Sequence, residues 1–235
     1  MEAMQYFEIT VTTYLLRDMY FTDSSEIISK IINKAMLLDN DLSEKHKKND
    51  YKNYVFNNFY PLENNKTYRR GRIYIFKIRT LDKVFAKKIR ELIMKIESED
   101  IKIIATDIKT IWKKHIVELY TVTPALITVD NKYWLPENDF ILLQDRFNAN
   151  LEKKYKAFYD NNFSINHSFI QRIELLNKIP FSFKYKNTRL LANKFRIIPN
   201  DDEQSQLLAF TAEAIGIGEK NSAAGLGFCN AQYLK

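Results

Sequence analysis

The distribution of glycine restricts the fold of this chain more than any other sequence feature. The 235 residues include only 5 glycines, and four of them lie in one segment near the C-terminus, GIGEKNSAAGLGF (216–228), which we call the glycine-rich loop. Glycine adopts positive φ angles and allows close approach of another backbone, and successive amides in such a loop can bind an anion. The residues alone leave two interpretations open: a structural turn, or a loop that contacts phosphate.

The first 112 residues alternate between strand and helix patterns. Runs rich in β-branched and aromatic residues predict strands, and apolar residues at helical spacing predict helices. Asp23 or Ser24 is the expected cap of the first helix. The predicted strands are 6–16, 51–62, 72–80 and 101–111, the predicted helices are 22–38 and 82–96, and a charged loop is expected at 39–50. This βαββαβ order is that of a ferredoxin-like fold.

Residues 113–235 repeat this order less clearly and without a literal sequence repeat. Strands are predicted at 115–128 and 228–235 and helices at 140–160 and 203–218, while 167–177 fits a short helix or a strand. Two alternating runs within 180–199, separated at 186–188, predict a hairpin. We therefore expect an α+β fold of two tandem ferredoxin-like (RRM-like) domains, 1–112 and 113–235, with the glycine-rich loop in the second.

Composition limits the class of protein and its partners. The formal net charge of +7 and pI of about 9.2 suit a polyanionic partner, or simply a basic soluble protein. A single cysteine, Cys229, excludes an internal disulfide and a multi-cysteine zinc site and fits a reducing cytoplasm. We see no signal peptide at the N-terminus and no run of about 18 apolar residues, so a cytoplasmic protein without a membrane partner is expected.

The position of the glycine-rich loop gives it a family context. It follows a predicted helix and precedes a predicted strand, whereas Walker and dinucleotide-binding loops follow a strand and open a helix. The loop resembles the C-terminal glycine-rich motif of the CRISPR repeat-processing endoribonucleases of the RAMP superfamily. An extra alanine in its second half departs from the family spacing, so the loop is not mapped onto the motif residue by residue.

Two further segments carry the same resemblance, which extends over nearly the whole chain. TVTPALITVDNKYWLPE (121–137) and the NLEKKY sequence (150–155) of the following helix are similar to the family's Thr-x-x-Pro segment and Asn-Leu-x-x-Lys-Tyr helix. KHKKNDYKNYVFNNFYP (45–61) is similar to its first-domain segment, in which a histidine follows the first helix. The resemblance implies two ferredoxin-like domains, in agreement with the pattern of strands and helices.

The resemblance also implies an activity. Family members cleave CRISPR repeat transcripts without a metal or cofactor: the 2′-hydroxyl attacks the scissile phosphate and leaves 2′,3′-cyclic phosphate and 5′-hydroxyl ends, which produces guide RNA. The implied partners are repeat RNA and other subunits of a CRISPR interference complex, and the implied state is a monomer or a homodimer. The alternatives are an inactive RAMP protein that only binds repeat RNA or serves as a scaffold, and a double ferredoxin-like regulatory protein with no RNA role.

The candidate catalytic residues are His46 and Lys52. Histidine suits proton transfer because its pKa lies near neutrality, and lysine suits stabilisation of charge on the phosphate. His46 stands where the family has its catalytic histidine, and neighbouring lysines would lower its pKa; the alternative is a solvated surface histidine. Lys52 lies where many members have a supporting lysine, with Lys48, also a candidate RNA contact, as its rival. Tyr51 or Tyr54 could replace the tyrosine that assists in some members.

Two sets of residues are candidate RNA contacts. A basic turn beside Tyr68 and Gly71 suits phosphate contact and base stacking, or is only a solvated hairpin tip. In the glycine-rich loop, four residues would line the RNA-binding cleft if the loop is more than a structural turn. The two sets are Lys66, Arg69, Arg70 and Arg72 in the basic turn, and Gly216, Gly218, Lys220 and Asn221 in the loop.

Overall fold

The computed structural model describes residues 4–47, 52–129, 132–134, 139–185 and 188–234. The chain divides into two compact units. The N-terminal unit contains Met4–Trp112 together with Ser222–Gly225, and the C-terminal unit contains Lys113–Asn221 and the residues from Leu226 onward. The glycine-rich loop therefore contributes residues to both units.

The N-terminal unit has a four-stranded antiparallel sheet with strand order β3-β5-β1-β6. Alternate residues of the central strand β1, such as Ile9 and Val11, pack with Ile28 of helix α1 and Ile89 of helix α3 in one apolar core. The elements are β1 (Gln5–Leu15), β2 (Met19–Tyr20), α1 (Ser24–Leu37), α2 (Asn40–Lys47), β3 (Tyr54–Phe56), β4 (Thr67–Tyr68), β5 (Ile73–Thr80), α3 (Lys83–Ile93) and β6 (Ile101–Trp112).

Three predictions for this unit are corrected by the structure. The expected cap of α1 does not form, because the Asp23 side chain makes no capping hydrogen bond and the Ser24 hydroxyl donates to the Phe21 carbonyl (2.7 Å). The charged segment 39–50 was expected to be a loop, but its residues 40–47 form α2. The strand expected at 51–62 is shorter, because β3 pairs with β5 only from Tyr54 to Phe56. The side chain of the next residue, Asn57, accepts a hydrogen bond from the Lys77 amide (2.7 Å), and the chain returns to β5 through a single bridge between Tyr60 and Ile75.

The C-terminal unit repeats the architecture, with sheet order β10-β13-β7-β14. In both units the four sheet strands, numbered in chain order, lie in the order 2-3-1-4, which is the ferredoxin-like arrangement. The elements are β7 (Ile116–Thr121), β8 (Thr128–Val129), β9 (Lys132–Tyr133), α4 (Phe140–Phe158), β10 (Ile170–Leu175), β11 (Phe181–Tyr185), β12 (Thr188–Ala192), β13 (Phe195–Pro199), α5 (Glu203–Ile215), α6 (Asn221–Ala224), which continues into the N-terminal unit, and β14 (Cys229–Tyr233). The predicted fold class, α+β with two tandem ferredoxin-like domains, is thus confirmed.

The hairpin predicted within 180–199 forms, but it is not part of the main sheet. Strands β11 and β12 pair with each other from Phe181↔Ala192 to Tyr185↔Thr188 and make a separate two-stranded sheet; Lys186 and Asn187 lie outside the described residues. The third strand of the main sheet is β13. Its neighbour in the sheet is β10, so segment 167–177 contains a strand and not a helix. Across the described ranges, no helix is long and apolar enough to cross a membrane.

Candidate functional site

His46 lies in the last turn of helix α2 and is partly buried. The sequence forms a helix here because Asp39 caps it, accepting a hydrogen bond from the Leu42 amide (3.1 Å). Leu42 is buried in the core of the N-terminal unit and attaches the helix to it. The buried Leu42 and the Asp39 cap thus stabilise a helix whose other residues are polar or charged.

Ion pairs with helix α3 and its cap hold α2 at both ends. Lys88 contacts Asp39 (2.9 Å) and Asp41 (2.8 Å) at the start of α2. Near its end, Lys45 contacts Asp82 (2.9 Å), whose carboxylate also caps α3. Negative charge near the start of a helix and positive charge near its end both favour the helix dipole. These contacts orient the turn that carries His46.

Lys52 holds the C-terminal end of α2. Its ammonium donates hydrogen bonds to the carbonyl oxygens of Lys45 and His46, the latter at 2.8 Å, and so satisfies acceptors that a helix end leaves without a partner. Burial and then the charge of Lys52 lower the pKa of His46. The structure therefore brings the two candidate catalytic residues together and favours a neutral imidazole, the form that can accept a proton.

The tyrosines considered for this site differ in accessibility. Tyr54 is buried and stacks on Phe85 with ring centroids 5.0 Å apart. Burial raises the pKa of its hydroxyl, so Tyr54 is a core residue rather than a proton donor to a substrate. Tyr51 and the candidate contact Lys48 lie outside the described residues.

The four basic-turn residues Lys66, Arg69, Arg70 and Arg72 are exposed on the N-terminal unit. Two of the arginines are paired with carboxylates: Arg69 with Asp18 (3.1 Å) and Arg72 with Glu63 (2.8 Å). Asp18 also accepts a hydrogen bond from the backbone amide of Arg70 (2.7 Å). These contacts give the turn a defined shape, and exposed ion pairs of this kind are weak enough to exchange for a phosphate.

The aromatic residue suited to stacking near this turn is Tyr14, not Tyr68. Tyr68 is buried and donates its hydroxyl hydrogen bond to the Phe59 carbonyl (2.8 Å), so the expected stacking role is wrong. Tyr14 is 38% exposed on the sheet face opposite the core, directly across from Ile73, which is 60% exposed. A Cβ placed on Gly71 of the basic turn would lie 3.7 Å from the Tyr14 hydroxyl. The alternation of β1 was the sequence signal for this position.

The glycine-rich loop is fastened within the C-terminal unit by the buried side chain of Lys154 from α4. Its Nζ donates to the carbonyl oxygens of Gly216 (2.8 Å) and Gly218 (2.9 Å) and to Asn221 Oδ1 (2.7 Å). Burial lowers the pKa of Lys154 to about 7, and the three oxygens that surround its nitrogen favour the ammonium form.

Backbone hydrogen bonds close the loop on its own unit. The amides of five loop residues donate to neighbouring protein oxygens, and the Asn221 amide group donates to the carbonyls of Ile217 (3.0 Å) and Leu226 (2.8 Å). The five donors are Gly216, Ile217, Glu219, Gly227 and Phe228. Gly216, Gly218 and Asn221 are buried, whereas Lys220 is exposed. These residues have a role in the fold, and their contact with RNA remains a prediction.

The short segment Ser222–Gly225 belongs to the N-terminal unit. Ser29 of α1 donates a hydrogen bond to the Ala223 carbonyl (3.1 Å), and Gly225 lies against the ring of Phe56 in β3. This segment therefore packs against helix α1 and strand β3 of the N-terminal unit.

The other two histidines belong to the C-terminal unit. His115 contacts Asp201 (3.3 Å), and His167 contacts Asp202 (3.1 Å), the cap of α5. Among the described residues, no three His, Cys, Asp or Glu side chains are grouped so that they could hold a metal ion.

No protein-family model matches the sequence, and no curated protein matches it. Solved structures match nearly the whole chain. "CRISPR associated protein Cas6" has a TM-score of 0.70 and 18% identity, covering 97% of this chain and 99% of that one. A Cas6-related gene product from Pyrococcus furiosus has a TM-score of 0.69 and 18% identity, covering 98% of this chain and 100% of that one. "An RAMP protein binding different RNA substrates" has a TM-score of 0.70 and 16% identity, covering 96% of this chain and 99% of that one. This chain therefore has the fold of the Cas6 and RAMP structures over nearly its full length.

Proposed function

We propose that this protein is a metal-independent endoribonuclease that cleaves CRISPR repeat transcripts to produce guide RNA. The observation that carries the proposal is the position of Lys52 at the end of α2, where its ammonium binds the backbone carbonyl of His46 and where burial and the Lys52 charge lower the pKa of the histidine. The fold supports it, because solved structures called Cas6 share that fold along nearly the whole chain. Repeat RNA as the substrate is inferred from this likeness and from the family resemblance of the sequence.

The proposed reaction is a transesterification within the RNA. Neutral His46 accepts the proton of the 2′-hydroxyl, and the 2′ oxygen forms a bond to the adjacent phosphorus while the bond from phosphorus to the 5′ oxygen breaks. The 5′ oxygen takes one proton from solvent as it leaves, and His46 then releases the proton of the 2′-hydroxyl to solvent, so that the protons balance and the histidine is again neutral. The products are a 2′,3′-cyclic phosphate and a 5′-hydroxyl, and the step consumes no water and requires no metal.

Lys52 has two roles in this proposal. Its hydrogen bonds to the end of α2 fix the turn that carries His46, and its charge adds to the effect of burial, which lowers the pKa of the imidazole below that of a free histidine. The same charge stabilises the additional negative charge that develops on the phosphoryl oxygens in the transition state.

RNA binding is proposed to use the exposed cations of the basic turn, with Tyr14 as the stacking residue, and Lys220 of the glycine-rich loop. Arginine and lysine side chains bind phosphates, and aromatic side chains stack on unpaired bases. The structural neighbour described as a RAMP protein binding different RNA substrates supports RNA as the class of ligand.

The test is cleavage of the host's repeat RNA, labelled at its 5′ end, in EDTA. Wild type should make one cut that leaves a cyclic phosphate, and His46→Ala should make none. His167→Ala is the matched control, because its exposed contact with Asp202 lies in the other unit, and it should cut like wild type.

Two results would contradict this proposal. Tight RNA binding by wild type without a cut would favour the RAMP protein that only binds RNA. A strict need for added Mg²⁺ would refute the 2′-hydroxyl mechanism.

A further inference from the structure

The buried ammonium of Lys154 has an unusual set of partners. It is enclosed in the C-terminal unit, and its three hydrogen bonds go to neutral oxygens of the glycine-rich loop. An ammonium has three N–H donors, so these contacts use all of them. Burying a charge is costly unless it is fully hydrogen-bonded. Here all three acceptor oxygens belong to the glycine-rich loop.

The lysine and the loop depend on each other. Two of the three oxygens are backbone carbonyls only two residues apart, Gly216 and Gly218, and they converge on one nitrogen only when the loop is folded. A neutral amine would have two donors and would turn its lone pair towards an oxygen, so the site is built for the charged form. Removing the ammonium would leave buried oxygens without a donor.

Lys154 also fixes the side chain of Asn221, the residue that follows Lys220. The side chain of Asn221 is fixed from both sides, since its oxygen accepts from Lys154 while its nitrogen donates to the carbonyls of Ile217 and Leu226. Lys220 lies between Gly218 and Asn221, both held by Lys154, and has a φ of 58°. A positive φ is strained for lysine, and it persists only where the surrounding structure enforces it.

We infer that Lys154 is a positioning residue for RNA binding: by holding the glycine-rich loop from within, it fixes the exposed Lys220 where a phosphate can be contacted. This inference rests on the proposed RNA-binding function. Lys154 is buried and does not itself reach RNA, so its effect should pass entirely through Lys220.

Salt dependence separates this role from a general effect on stability. Each phosphate contact to single-stranded RNA contributes about 0.7 to the slope of log affinity against log salt concentration. If one contact is lost, the decrease in affinity between 50 and 200 mM salt should therefore be smaller than in wild type by a factor of about 2.6. Lys220→Ala should show this change, and Lys154→Met should show the same change.

Adjacent Lys153 provides the matched control. It is exposed on the same helix, so Lys153→Met removes the same charge one residue away without touching the loop. It should keep the wild-type salt slope. The double variant Lys154→Met/Lys220→Ala should lose no more slope or affinity than either single variant, because both changes remove one contact.

The measurements are RNA binding by fluorescence anisotropy, with folding checked by circular dichroism at the same temperature. If Lys154→Met does not fold, Lys154→Gln, which keeps two donors for the carbonyls, takes its place and should show an intermediate loss of slope. A wild-type slope in a folded Lys154 variant would overturn the inference, and so would additive losses in the double variant or no effect of Lys220→Ala. If wild type binds no RNA, the proposed function itself fails.

Discussion

Replacing Gly227 with alanine should destabilise the C-terminal unit by about 3 kcal/mol. Gly227 has a φ of 70°, a conformation that costs an L-residue about 1–2 kcal/mol. A new Cβ would overlap the Ile217 carbonyl oxygen and lie 2.9 Å from Asn221 Nδ2. Because a carbonyl in a closed loop cannot rotate away, the loop must shift and weaken hydrogen bonds such as Ile217 N to Gly227 O (2.9 Å), worth about 1 kcal/mol each.

Gly71→Ala separates the two causes. Gly71 has a similar φ of 81°, but a Cβ there would meet only the Tyr14 hydroxyl at 3.7 Å, an ordinary contact. This variant therefore measures the cost of the backbone conformation without a steric clash, and we expect a loss of about 1 kcal/mol. The difference between the variants, about 2 kcal/mol, is the cost of displacing the loop, worth about two hydrogen bonds.

Thermal and urea denaturation measure both variants. In a chain of this size 1 kcal/mol corresponds to roughly 2–4 °C, so Gly227→Ala should lower the Tm by about 6–12 °C and Gly71→Ala by about 2–4 °C. Fluorescence of Trp134, which is buried in the C-terminal unit, reports on the unit that holds Gly227. Equal losses in the two variants would refute the close packing of the loop against Ile217.

Three further predictions concern catalysis and RNA binding. Lys52→Met removes a charge that lowers the pKa of His46, so that pKa should rise and the low-pH limb of the single-turnover rate should move to higher pH; an unmoved limb would contradict the pairing. Tyr14→Ala should weaken binding of single-stranded RNA by about 1–3 kcal/mol, while Tyr20→Ala, exposed on the same unit, should bind like wild type in the same titration. Arg70→Ala should lower the salt slope of RNA affinity by about 0.7, and an unchanged slope would remove Arg70 from the interface.

The sequence predicted the two-fold repetition of the architecture because strands and helices have different hydrophobic periods. It did not predict α2, since that helix contains one buried apolar residue, Leu42, among charged ones. Its stability depends on partners such as Lys88 and Asp82, about 40 residues further along the chain. Periodicity within a short window contains no information about such contacts.

Strand pairing in the C-terminal unit shows a related limit. Alternation across 180–199 correctly indicated extended chain, but both β12 and β13 satisfy that pattern. Which of them joins the main sheet depends on the partner: β13 pairs with β7 through Arg196↔Tyr120 and Ile197↔Leu119, whereas β12 pairs only with β11. An amphipathic pattern gives the face of a strand and not the identity of its neighbour.

In the candidate site, residue type was more predictable than geometry. His46 and Lys52 were selected from the family resemblance, but the bond from Lys52 to the end of a helix required α2 to be known first. Tyr68 and Tyr14 have the same chemistry; alternation along β1 indicates that Tyr14 faces away from the core, but only the folded structure shows that Tyr68 is enclosed. A contact in the site can therefore be predicted only where the helix or strand that carries the residue has itself been predicted.

The glycine-rich loop shows why its composition alone was ambiguous. A loop that binds phosphate through its backbone needs amides that point outward, yet five of its amides donate within the protein. Gly227 is required because any side chain there would overlap Ile217, which is a steric demand and not a ligand-binding one. The side chain of this loop best placed to contact RNA is that of the exposed Lys220, which has a positive φ beside the buried Lys154 site.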